Sequence, residues 1–112
     1  MTPLFHPAPS MMLVGCAVDL GEDCQHAFPG LLVMRVAHAS AAAERMLVTR
    51  PLVVLLGEEI IDKRDDKLVI ECACDIRAEI IRVADVPREG LFEHVRAALL
   101  EAERHREEPT SA

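Results

Sequence analysis

Leu52-Val53-Val54-Leu55-Leu56 is an unbroken aliphatic run, closed by Pro51 on one side and Gly57 on the other. A strand with one wet face would alternate apolar and polar residues, and this run does not alternate. It is also too short, and too tightly punctuated, for a core helix. It therefore reads as a strand buried on both faces, at the centre of a parallel sheet. That one element constrains the rest. A doubly buried strand needs helices above and below it, and parallel neighbours need long crossover connections.

The remaining segments are read around that strand. Met1 to Ser10 is Pro-rich and is taken as a flexible leader, followed by one domain over 11–106 and a polar tail over 107–112. Met11 to Leu20 reads as a first strand, ended by Gly21. Asp23 to Phe28 has room for one or two helical turns before Pro29-Gly30. Leu31 to Ala37 is a second strand. Ser40, with Glu44 near the capping-box position, opens an Ala-rich helix over Ala41 to Leu47. Glu58 to Lys67 is a charged connection, and Leu68 to Cys74 reads as a fourth strand centred on Val69 and Ile70. Ile80 to Val86 reads as a fifth strand. Glu89 to about Arg106 is an amphipathic helix with Leu91, Phe92, Val95, Leu99 and Ala102 on its apolar face. The expected architecture is α/β, a mostly parallel five-stranded sheet with helices on both faces. Its weak joint is the link Asp75 to Glu79, too short for a parallel crossover. Either one neighbouring strand is antiparallel or Asp75 to Ile81 is a short helix.

Composition narrows the function classes. The 112-residue chain is 51% hydrophobic but only 3% aromatic, so the core is aliphatic and no stacking platform for single-stranded nucleic acid is at hand. A net charge of -7 repels phosphate backbones and anionic lipid, which excludes nucleic acid and membrane surfaces as natural partners. Basic protein surfaces suit it better. No apolar run reaches the length of a membrane span. Leu13-Val14-Gly15-Cys16 matches the cleavage pattern of bacterial lipoproteins, but no basic n-region and no h-region precede it. The expectation is a cytoplasmic protein with reduced cysteines.

Three groups of residues have chemistry to weigh. Asp19, Glu22 and Asp23, with Glu58 and Glu59, would form an acidic pocket for Mg²⁺ or Ca²⁺ if the strand ends bring them together. Solvated loop acids are the plainer reading in a chain with 19 acidic residues. Cys72 and Cys74, two apart on an expected strand, would share a face, and Cys16, Cys24 and His26 could complete a zinc site. No C-x-x-C spacing supports this, and buried core thiols are the plainer reading. His38 with Ser40 or Cys16 would imitate a base and nucleophile, yet no third group is placed to orient them. No Walker loop and no G-x-G-x-x-G is present. No cofactor is implied.

Gly30 to Leu56, GLLVMRVAHASAAAERMLVTRPLVVLL, resembles the second strand, second helix and third strand of the receiver domains of two-component signalling. VADVPREGLFEHVRAALLEAE, Val83 to Glu103, is similar to the last strand and last helix of that family. The resemblance implies a truncated receiver, or flavodoxin-like, fold. It also implies an Asp phosphoryl acceptor directly after the third strand, where Gly57 stands, followed by Glu58. A Lys is implied before the Pro that follows the last strand, where Val86 precedes Pro87. Of the family's Mg²⁺-binding acids, Asp19 is in place, with Glu22 and Asp23 near. With acceptor and Lys absent, the resemblance implies a degenerate receiver that works without phosphorylation and without catalysis, by docking a signalling protein. A homodimer is compatible with that role. The rivals are a metal- or thiol-dependent protein built on Cys16, Cys72 and Cys74, and a different small regulatory α/β domain resembling anti-sigma-factor antagonists.

Overall fold

The computed structural model describes residues 9–58 and 62–107. Residues 1–8 of the expected leader, Glu59 of the acidic group and residues 108–112 of the expected tail lie outside them. Elements run β1 (Ser10–Val14), α1 (Val18–Ala27), β2 (Leu32–Val36), α2 (Ala39–Thr49), β3 (Val53–Leu56), α3 (Lys63–Asp75), β4 (Glu79–Arg82) and α4 (Leu91–Glu107). Two short 3-10 turns, Val83–Asp85 and Arg88–Gly90, join β4 to α4.

Among the described residues the sheet has four strands in the order β2-β1-β3-β4, and every neighbouring pair is parallel. The central pair β1 and β3 is fully buried, as the aliphatic run requires. Alternation along these strands splits the core into two layers. Met11, Leu13, Val53, Leu55 and Ile81 face α1 and α4, whose Leu20, Cys24, Leu91 and Val95 complete that layer. Met12, Val14, Val54 and Leu56 face α2 and α3, whose Ala42, Met46, Val69 and Ala73 complete the other. The result is a three-layer sandwich, with a core that is aliphatic apart from one aromatic contact among the described residues. Phe28 and Phe92 meet edge to face at 6.1 Å between centroids, tying the end of α1 to the start of α4.

The structure corrects several expectations. Leu68 to Cys74 is not a fourth strand but the body of α3. Val69 and Ala73 are its buried residues, and the C-cap residue Ile76 continues their line at helical rather than strand spacing. Asp62 caps it by accepting from the Arg64 N–H at 2.8 Å, and Asp65 and Asp66 in the first turn complement the helix dipole. The five-strand sheet is thereby reduced to four, and the short link is no longer an anomaly, because α3 is itself the crossover from β3 to β4. The last strand is shorter than expected and stops at Arg82. The first also stops early, at Val14, and Val18 to Leu20 belong to α1, which is three turns long rather than one or two. Ser10 opens β1 instead of closing the leader. The residue at the start of α2 is His38, not Ser40.

Candidate functional site

The chain leaves β1 toward β2 on one side, then returns past β1 to place β3 on the other. Loops after β1 and β3 therefore diverge to opposite faces, and a crevice opens between them at the carboxyl ends of the strands. Gly15, Cys16 and Gly57 line it, with Leu20 of α1 and Val83 as apolar walls and Glu58 and Arg88 as its charged members. Its volume is about 260 Å³, below the range usual for small-molecule pockets.

Two glycines shape the crevice. Gly15 has φ of 65°, a left-handed conformation that admits a side chain only with strain. Its N–H donates to Val36 O at 3.0 Å, and the Gly57 N–H donates to Val14 O at 2.8 Å, so pairing continues one residue past each strand. That brings the Gly57 backbone against the Gly15–Cys16 peptide. A Cβ on Gly57 would collide with Gly15 O and sit 2.8 Å from Cys16 Cα. Both neighbours are backbone and have no rotamer by which to yield. The position directly after β3 has no room for any side chain.

The sequence candidates fall around this crevice unevenly. Glu58 lies on it. Asp19, Glu22 and Asp23 all lie exposed on α1 and line none of it. Asp23 is bound to Arg88 at 2.7 Å, so the crevice's cation is already matched by an acid. Among the described residues no group of three or more His, Cys, Asp or Glu is placed to hold a metal ion. Cys72 and Cys74 sit on α3, where a spacing of two turns them to different sides. Cys72 is half-buried and Cys74 exposed, which corrects the shared strand face expected of them. Cys16 lies in the layer with α1, Cys72 in the layer with α3, so the sheet stands between them.

Cys24 and Cys72 are not poised as nucleophiles. Burial pushes Cys24 up to about 11, with Arg88 opposing and Asp23 adding to the effect. Burial also raises Cys72, helped by the Asp75 and Glu71 charges. Thiols raised in this way carry little thiolate at neutral pH. The Cys16 Sγ lies 3.6 Å from Leu55 O and 3.8 Å from Val14 O, turned into the sheet. His38 is an exposed helix-start residue. Val86, the expected counterpart of a Lys at the end of the last strand, follows a 3-10 turn and bonds Val83 O at 3.3 Å; Arg82 holds the strand end instead. Arg88, Leu20 and Val83 were not legible as crevice residues. Arg88 and Val83 arrive from the far end of the chain by the fold alone.

No family model and no curated protein matches the sequence. Solved structures do resemble the fold. A de novo designed protein of the Rossmann 2x2 fold superposes with a TM-score of 0.52 at 17% identity, over 80% of this chain and 86% of that one. The solution structure of a phosphate-loop protein gives 0.54 at 16% identity, over 93% and 97%. SulA from Pseudomonas aeruginosa gives 0.47 at 14%, over 70% and 73%. The fold class that the first two share with this chain is a Rossmann-like α/β domain with a parallel sheet. Among the described residues no helix is long and apolar enough to cross a membrane.

Proposed function

We propose that this chain is a non-catalytic, cytoplasmic interaction module of signalling, organised like a receiver whose phosphoryl-acceptor position has closed. The observation that carries the reading is the backbone contact at Gly57. An acceptor carboxylate must project from the residue after β3, and the Gly15–Cys16 peptide fills the space it would need. The strand order supports the same reading, since a receiver sets its first and third strands side by side with the second at an edge. So does the end of β4, where Arg82 is held by Asp66 instead of reaching toward the crevice. Cysteines divided between the two faces lend no support to a shared metal.

The docking surface on this reading is the loop after Leu56. Glu58 stands exposed beside the crevice, where a charged group would report the phosphorylated state in a working receiver. The partner it fits is basic, consistent with a chain of net charge -7. Intact-mass measurement after incubation with acetyl phosphate and Mg²⁺ tests the claim. No phosphoryl adduct is expected, and an adduct on any carboxylate of this chain would overturn it. A partner captured by crosslinking should be lost from Glu58→Arg and retained by Leu47→Ser, a change on the far helix α2.

A further inference from the structure

The crevice between the β1 and β3 loops is left with one unmatched charge. It holds two charged side chains, Glu58 and Arg88. One Arg88 Nη donates to an Asp23 carboxylate oxygen at 2.7 Å, so the cation is answered from α1. The Glu58 side chain makes no hydrogen bond and no ion pair among the described residues. The start of α1 also borders the crevice at Ala17, and it carries the positive end of the helix dipole. Asp19 in the first turn of that helix offsets it. The charge that the crevice lacks is therefore positive, and a net charge of -7 adds a field of the same sense.

Shape narrows what can bring that charge. The floor is the main chain of Gly15 and Gly57, and the walls are the buried Leu20 and the partly buried Val83. Glu58 stands exposed on the same crevice. The site thus joins an apolar trough to one hydrated carboxylate. A volume of about 260 Å³ has room for one long side chain and too little for a large cofactor. Long basic side chains are built for such a trough, with an apolar stem and a head group that stays partly in water. Keeping the head hydrated also spares the large cost of burying an ion pair. Of the two, arginine suits a lone carboxylate better. Its planar fork matches both oxygens, and it is less strongly hydrated than an ammonium.

We infer that the crevice receives one arginine side chain of a basic partner protein, its stem along Leu20 and Val83 and its guanidinium on Glu58. This rests on the reading of the chain as a docking module and names what the docking loop holds. Nuclear magnetic resonance titration of the ¹⁵N-labelled chain with Nα-acetyl-arginine methylamide tests it. The amides of Gly15, Leu20, Gly57, Glu58 and Val83 should shift along one saturating curve, with a Kd on the order of millimolar. Glu58→Gln should weaken binding at least about fivefold. Asp23→Asn should weaken it also, because Arg88 is then unmatched and repels the guanidinium. Glu44→Gln removes the same charge from α2, on the other face of the sheet, and should leave binding unchanged. The norleucine and glutamate counterparts of the probe should not saturate, and the lysine counterpart should bind more weakly. These probes need no variant, so they decide the matter if a substitution prevents folding by circular dichroism. Absence of a saturable shift would overturn the inference. So would equal losses from Glu58→Gln and Glu44→Gln, or a lysine, norleucine or glutamate probe that binds as tightly as arginine. A phosphoryl adduct from acetyl phosphate would instead overturn the underlying reading, so the two failures are told apart.

Discussion

Gly57 is the residue on which the functional reading turns, and its effect is steric before it is chemical. Adding one methyl forces the β1 and β3 loops apart, because both colliding groups are main chain. Gly57→Ala is expected to cost about 3 kcal/mol, at the upper end for overpacking, measured by urea unfolding. Gly30, whose Cβ would meet nothing within 4 Å, is the control, and Gly30→Ala should change stability by less than about 0.5 kcal/mol. Cys24 gives a second residue-scale test. Its thiol is protonated in the fold up to about 11, against 9.0 for the ordinary group. A raised folded value means that the contribution is fully present below pH 9 and is lost as pH climbs through the folded value. Stability should therefore fall on the alkaline side, by up to about 3 kcal/mol from this group. Cys24→Ala should flatten that limb in unfolding curves taken from pH 8 to 11.

Individual elements show where sequence is a sufficient guide. β3 was legible because nothing but a doubly buried strand accommodates five aliphatic residues between Pro51 and Gly57. α4 was legible because Leu91, Val95, Leu99 and Ala102 repeat at helical spacing over many turns. α3 was misread because Leu68-Val69-Ile70 is a β-like triplet, and a local triplet outweighed a sparse stripe. The helical stripe Val69, Ala73 and Ile76 was present all along, as were the Asp62 cap and the acidic first turn. In the crevice, Gly57 follows from chain punctuation, while Arg88 and Val83 reach it only through tertiary folding. The two readings of α3 predict opposite mutational patterns. In a strand, Leu68 and Ile70 would share one face and Val69 and Ala73 the other. In the helix, Ala73 is fully buried and Leu68 lies partly in solvent. Ala73→Asp should cost about 3 kcal/mol or prevent folding, since it buries an unpaired charge. Leu68→Asp should cost less than about 1 kcal/mol. Thermal melts of the two variants side by side check this.

At the scale of the whole molecule, stability is concentrated along one line, the β1–β3 pair. Each of these strands has a bonded neighbour on both sides and a helical layer on both faces, and their side chains are excluded from water. The edge strands lack one neighbour, and β2 has only Val36 fully covered. Local opening costs less where fewer apolar contacts and fewer ladder bonds break, so the molecule should open from its edges inward. Native-state hydrogen exchange in low denaturant is the direct measurement. Amides of β1 and β3 should exchange only through global unfolding, with the full denaturant sensitivity of the domain. The inward amides of β2 and β4 should exchange through smaller openings, with weaker denaturant dependence. The crevice lies at the carboxyl end of the most stable pair. Its floor, Gly15 and Gly57, continues β1 and β3, while Glu58 and Arg88 stand on the connections that follow β3 and β4. On the proposed reading, a partner would be recognised through side chains carried on that floor. Equal protection across all four strands would remove the distinction, and with it the reason for placing recognition in the loop and not in the sheet.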